Sequence, residues 1–79
     1  MERVRISAHI VADAQICHGK PTFAGTRVMI WQVLEMLEVG ASTKDIQRAF
    51  PSLTPGHVKA ALHYAAELTR VGGYVLLKV

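Results

Sequence analysis

Cysteine and histidine are the residues of this sequence that could perform nucleophilic catalysis or bind a transition metal. Cys17 and His18 are adjacent, so they do not readily chelate one ion together, and no second Cys/His pair has the spacing of a zinc site. His57 and His63 are six residues apart, which places them on different faces of a helix. No third group is evident to orient a Cys–His nucleophilic pair. We therefore predict no catalytic residue, no metal site and no cofactor, and a protein that is not an enzyme.

The segment Gly19-Lys20 resembles the start of a phosphate-binding loop, in which backbone N–H groups at the start of a helix cradle phosphate. Here Pro21 follows the lysine and removes one of those N–H groups, and no helix is predicted directly after it. The sequence therefore excludes a nucleotide site of this kind. Lys20 and Arg27 are then surface charges on a hairpin, available to a nucleic-acid backbone or to an acidic partner.

Basic and histidine side chains recur at helical spacing after Thr54, and side chains of these types bind DNA. Lys59 and His63 are suited to contacts with base edges, and Arg70 to contacts with phosphate. The alternative is a three-helix packing whose charges are simply solvated, because the balance of charge in this region is modest. The candidate DNA-binding residues are Lys44, Arg48, His57, Lys59, His63 and Arg27.

Two helices are predicted to precede this segment. In the first, apolar residues at i, i+3, i+4 and i+7 form one stripe, and Gly40 is a suitable C-terminal stop. The second begins at Ser42, which with Asp45 forms a capping box, and Pro51 ends it. The predicted inner faces are Ile30, Val33, Leu34 and Leu37 in the first helix, and Ile46, Ala49 and Phe50 in the second.

The third helix is predicted to open with Thr54 as its N-cap and Pro55 at its first position, and to close at Gly72-Gly73. A short capped helix, a turn of about four residues and a longer helix form a helix-turn-helix, whose second helix enters the DNA major groove. The fold class is accordingly mainly α, a three-helix bundle with short flanking strands. The predicted inner stripe of the third helix is Val58, Ala61, Leu62, Ala65, Leu68 and Thr69.

The N-terminal part of the chain is predicted to be extended. Residues 4–11 alternate apolar and polar side chains, which is the pattern of one half-buried strand. Residues 17–29 indicate a turn-rich β segment, with Gly25 in a tight turn that requires a positive φ. Residues 74–79 form either a short apolar strand or an unpaired tail.

Length and composition favour one small domain over residues 1–79. The chain has 79 residues, of which 51% are hydrophobic, so some apolar surface is expected to remain for a partner, most simply a second copy in a homodimer. A single cysteine excludes an intrachain disulfide and indicates a reducing, cytoplasmic environment. No signal peptide or membrane span is predicted. The net charge of +3 weakly favours an anionic partner.

Two motifs in combination resemble a known family. The hairpin motif is Gly19-Lys20-Pro21-x-x-x-Gly25-Thr26-Arg27-Val28. The second motif is Ile46-x-x-x-Phe50-Pro51-x-Leu53-Thr54-x-x-x-Val58-x-x-Ala61-Leu62-x-Tyr64. Over roughly residues 7 to 70 the chain resembles the domain-of-unknown-function family 433, the VapB-type antitoxin-like proteins of bacteria. The resemblance implies a homeodomain-like helical DNA-binding fold, and an antitoxin that silences a PIN-like ribonuclease toxin and represses its own operon.

The C-terminal apolar segment has poor prospects of full burial in so small a monomer, which makes it the candidate docking surface for such a toxin. In a type II toxin–antitoxin pair this segment would dock the nuclease, for instance by strand addition to a sheet of the toxin. The same segment has the alternative of pairing with residues 4–11, within the chain or across a dimer. A further alternative is a protein-interaction or dimerisation module that does not bind operator DNA. The candidate toxin-binding residues are Tyr74, Val75, Leu76, Leu77 and Val79.

Overall fold

A computed structural model describes residues 3–77 of the chain as a three-stranded antiparallel sheet and three helices. The three helices and the short strands are as predicted. Strands and helices share one core, however, so the fold is mixed α/β rather than mainly α. The strands are β1 (Arg3–Arg5), β2 (Ile10–Asp13) and β3 (Thr22–Phe23), and the helices are α1 (Ile30–Glu38), α2 (Thr43–Ala49) and α3 (Pro55–Val71).

The N-terminal segment is a hairpin, so the prediction of one strand over residues 4–11 was wrong. The chain bends after β1, where the N–H groups of Ile6 and Ser7 both donate to the carbonyl of Ile10 (2.9 and 3.1 Å). β1 then pairs antiparallel with β2, with Val4 opposite Ala12. The alternating pattern did not reveal this bend, because the apolar residues before it are not buried while Ile10 after it is.

Residues 17–29 contain less strand than predicted. A 3₁₀ turn at Cys17–Gly19 precedes the two-residue strand β3, which pairs with β2. Thr22 of β3 also forms a single antiparallel bridge with Met29. The predicted tight turn at Gly25 is confirmed. Gly25 has a φ of +79°, and the turn is closed by the N–H of Thr26 donating to the carbonyl of Phe23 (3.0 Å).

The predicted helix ends are confirmed. At the end of α1, Gly40 has a φ of +91°, and the N–H of Ala41 reaches back to the carbonyl of Met36 (3.0 Å), as in a Schellman motif. At the start of α2, the Ser42 hydroxyl accepts the N–H of Asp45 (3.1 Å), whose carboxylate accepts the N–H of Ser42 (2.9 Å).

The core draws on the second and third strands, all three helices and the α2–α3 turn. Helix α1, with nine residues, is about 14 Å long, whereas the seventeen residues of α3 span about 26 Å. The second half of α3 therefore extends past the core, and Leu62 and Leu68, predicted to face inward, are half exposed. Ala49 is also exposed, contrary to prediction. The buried core consists of Ile10, Phe23, Ile30, Val33, Ile46, Leu53, Val58 and Ala61.

Residues 72–77 leave α3 as an unpaired tail. They form no strand, and β1 pairs with β2 instead, so the alternative of pairing the tail with the N-terminal strand within the chain is not realised. Val79, one of the candidate toxin-binding residues, lies outside the described residues. None of the helices within residues 3–77 combines the length and the apolarity that crossing a bilayer requires.

Two threonines near the β3 turn differ in how their hydroxyls are satisfied. Thr22 is fully buried and its Oγ1 has no hydrogen-bond partner within the described part of the chain, whereas Thr26 Oγ1 donates to the carbonyl of Phe23 (2.9 Å) and accepts the N–H of Val28 (3.0 Å). We expect Thr22→Val to raise the free energy of unfolding by about 1 kcal/mol, because it removes an unpaired buried hydroxyl at nearly constant volume.

The matched substitution Thr26→Val should lower the free energy of unfolding by about 1 kcal/mol, since it removes two hydrogen bonds of the turn. Urea unfolding of both variants measures the two effects. Destabilisation by Thr22→Val would contradict the assignment of an unpaired hydroxyl.

Candidate functional site

One side of α3 carries a stripe of exposed cationic and histidine side chains. Lys59 and His63 are four residues apart and Arg70 follows seven residues later, so that the three lie on one face of the helix. All three are exposed, and Arg70 forms an ion pair with Glu67, which precedes it on α3. The opposite face, at Val58 and Ala61, is buried against the core. We call Lys59, His63 and Arg70 the cationic stripe.

His57 caps α3 and does not share the exposed position of Lys59 and His63, contrary to the prediction that it lies on the outer face. Its Nδ1 accepts the N–H of Thr54 at 3.0 Å and lies 2.9 Å from the Thr54 hydroxyl. Its ring is perpendicular to the ring of Phe23, at a centroid distance of 5.4 Å, and lies 5.2 Å from the ring of His9. His57 therefore fixes the start of α3 and is a poor candidate for a base contact.

The turn between α2 and α3 holds the two helices in place. Leu53, at its centre, is buried in the core, and its carbonyl accepts a hydrogen bond from the Gln47 side chain (3.4 Å). The N–H of Leu53 donates to the carbonyl of Phe50 (2.9 Å), which closes the turn after α2. A buried leucine in a five-residue connection leaves little freedom in the relative positions of the two helices.

Helix α2 presents two further candidates, Lys44 and Arg48, both exposed. Arg48 forms an ion pair with Asp45, one turn earlier on the same helix. The backbone N–H of Ser42 and then the Arg48 guanidinium hold the pKa of Asp45 below its ordinary value of 3.8. Arg48 therefore has an intrachain partner that an anionic ligand would have to replace.

Arg27, the sixth candidate, is exposed in the connection between β3 and α1, away from the cationic stripe in sequence. Its carbonyl accepts a weak hydrogen bond from the Cys17 thiol (3.4 Å). Across residues 3–77, no three His, Cys, Asp or Glu side chains come together as metal ligands would. The predictions of no metal and no catalytic residue stay predictions.

Sequence reasoning missed the approach of the β1–β2 hairpin to the start of α3. The loop of this hairpin brings His9 against His57, and Arg3 and Arg5 are exposed on β1 beside it. These two arginines add exposed positive charge to the same fold. The Arg-Val-Arg pattern at a strand edge was visible in the sequence, but the bend that brings the hairpin loop to α3 was not.

An apolar groove between α1 and the second half of α3 was also missed. Its volume is about 230 Å³, and of residues 3–77 only Lys20 contributes a charged side chain to its lining. Trp31 and Leu68 stand on its walls with about half of their surface exposed. The signal in the sequence was Trp31, which flanks the apolar stripe of α1. The other lining residues are Pro21, Ile30, Leu34 and Tyr64.

Comparison with known proteins gives a family and a fold. The model of the family described as "Protein of unknown function (DUF433)" matches residues 10–65, from β2 to the eleventh residue of α3. The crystal structure of a DUF433 member protein from Anabaena variabilis ATCC 29413 is similar, with a TM-score of 0.73 and 24% identity. The similarity covers 84% of this chain and 65% of that one, so the chain spans about two thirds of the other protein's length. No curated protein matches the chain.

The lowered pKa of Asp45 predicts a dependence of stability on pH. A carboxylate whose pKa is lower in the folded state stabilises that state fully above about pH 4, and this contribution is lost as the pH falls through the folded pKa. We expect the free energy of unfolding to fall more steeply below pH 4 in the parent protein than in Asp45→Asn. Urea unfolding between pH 2.5 and 6 tests this, and parallel curves for the two proteins would contradict it.

Proposed function

The chain belongs to the DUF433 family, and on that premise we propose that it is a DNA-binding antitoxin of the cytoplasm, whose DNA-binding surface lies on the exposed side of α3 and whose toxin-binding segment is the tail that follows this helix. The observation that carries the DNA-binding half is the cationic stripe. The stripe is exposed along its length, and behind its N-terminal part Val58 and Ala61 are packed against the core.

Helices α2 and α3 support the finer interpretation of a homeodomain-like helix-turn-helix within the mixed fold. In such a motif the N-terminal part of the second helix contacts base edges in the major groove. Lys59 and His63 lie in that part of α3, and Arg70 lies two turns further on, where phosphate contacts are expected. Lys44 and Arg48 on the outer side of α2 would contact the backbone of the same duplex.

A homodimer fits this mode of binding. In a twofold pair the two copies of α3 would enter successive major grooves, roughly 34–36 Å apart, on a pseudo-palindromic operator. Each copy contributes the positive charges of its stripe, of α2 and of Arg27, so binding would weaken as salt concentration rises through counterion release.

The exposed tail supports the toxin-binding half of the proposal. Tyr74, Val75, Leu76 and Leu77 are each 77–89% exposed, and an apolar segment of this kind is typical of a docking surface. A PIN-like ribonuclease is the partner that the resemblance implies. The tail has no secondary structure of its own, which would allow it to add as a strand to a sheet of the nuclease.

A protein-interaction or dimerisation module without DNA binding is the alternative function, and the apolar groove favours it. In that case the exposed cations of α3 are simply solvated. The two functions differ in one measurable property, since the alternative predicts no salt-dependent binding to any duplex.

We expect the double substitution Lys59→Ala/His63→Ala to weaken binding to the chain's own promoter duplex at least tenfold, because loss of one good base contact alone costs about 1–3 kcal/mol. A gel shift at low salt measures this. His57→Gln keeps an acceptor at the capping position, so this variant is the control and should shift the duplex as the parent does. Absence of any shift by the parent protein would overturn the DNA-binding proposal.

Deletion of residues 73–79 should abolish capture of a PIN-like nuclease encoded beside this gene, because it removes the exposed apolar segment that would dock it. A pull-down with the purified nuclease tests this. Val39→Lys changes an exposed apolar residue outside the tail and should retain the nuclease. Retention of the nuclease by the truncated chain would refute the assignment of the tail as its docking segment.

A further inference from the structure

We propose that, in the absence of another partner, residues 74–77 of one copy occupy the apolar groove of a second copy, reciprocally, and so form the homodimer. This deepens the dimer of the proposed function by naming its contact. It does not depend on DNA binding.

The groove has the chemistry of a site for an uncharged apolar segment. Its walls are contributed by α1, by Pro21 and by the part of α3 that extends past the core. Trp31 is 48% exposed and Leu68 is 54% exposed, so two large apolar side chains stand open to water at its walls. In the described part of the chain, Lys20 is the one charged residue of the lining, and no acidic side chain contributes.

The tail has the complementary composition. Residues 74–77 are four consecutive apolar or aromatic residues, none charged, and they follow the Gly72-Gly73 pair, where both φ angles are positive. This pair ends α3 and sets the tail off from the helix axis. The surface is continuous, because Leu68 lines both the groove and the cavity beside Tyr74 and Val75.

A second copy is the occupant that satisfies both surfaces. In the structure the chain's own tail stays out of its own groove, and its side chains remain exposed. Each copy thus has one open groove and one unpartnered segment, which a twofold pair would fill simultaneously in a closed assembly.

The area available is adequate for a dimer. Large apolar side chains of the groove walls, the end of α3 and the tail are half exposed or more. An aromatic side chain can bury about 150–250 Å². Together these side chains therefore offer an apolar area on the order of the 800 Å² that each partner buries in a stable interface. The members of this set are Trp31, Leu68, Val71, Tyr74, Val75, Leu76 and Leu77.

Trp31 is the sole tryptophan of the chain, so its fluorescence reports directly on the groove. We expect the full chain to change from monomer to dimer with rising concentration in sedimentation experiments. Trp31 emission should shift to the blue, and iodide should quench it less, over the same concentration range.

Leu68→Lys in the groove and Leu76→Lys in the tail should each weaken dimerisation at least about tenfold. Val39→Lys, exposed and remote in sequence from both, is the matched control and should dimerise as the parent does.

Mixing tests the reciprocity. Leu76→Lys retains an intact groove and Leu68→Lys retains an intact tail, so a mixture of the two should form a mixed pair at concentrations where each alone is monomeric. A dimer that survives Leu76→Lys would overturn the proposal and place the interface elsewhere. If Leu76→Lys removes the shielding of Trp31 from iodide but this shielding does not depend on protein concentration, the chain's own tail covers the groove. That result would overturn the proposal. Because no DNA is present, failure here leaves the gel-shift result intact, and the converse also holds.

Discussion

Burial of Phe23 beneath the first turn of α3 is the contact on which the arrangement depends. The ring is fully buried, belongs to the same cluster as Ile30 of α1 and Val58 of α3, and packs nearly perpendicular to the His57 ring. It therefore joins the sheet to the first and third helices at one point. Because His57 also caps α3, the packing of Phe23 and the hydrogen bonding of Thr54 fix where this helix begins. The direction of every side chain on α3, including the cationic stripe, follows from that starting point.

The unequal lengths of α1 and α3 divide the longest helix into two parts with different surroundings. The first part is held by the core on one face and offers polar side chains on the other. Within residues 3–77 no other element covers the apolar side of the second part, and the groove is the space beside it. One helix thus offers a charged surface on one face and an apolar surface on another, so a macromolecule bound at one need not obstruct the other.

Local chemistry made the helices predictable. Ser42 with Asp45, the Thr54-Pro55 pair and Gly40 specify helix ends through interactions between residues close in sequence, and the ends lie where these residues indicated. Contacts between distant residues were not predictable in this way. The bend after Arg5 depends on pairing with β2, and the inner stripe of α3 was predicted too long because periodicity does not show where α1 stops. Among the candidate site residues, Lys59 and His63 lie on the exposed face as expected. His57 does not, because histidine took the position that glutamate or glutamine occupies in the usual capping box.

The short first strand limits edge-to-edge aggregation between copies of this protein. β1 is the outer strand of the sheet, only three residues long, and arginines flank its single valine. A brief edge with a positive charge at each end is a poor template for another chain, because backbone pairing would bring like charges together. The opposite edge, β3, is shorter still. Uncontrolled growth of the sheet into fibrils is therefore disfavoured on both sides, even though half of the residues in this chain are hydrophobic.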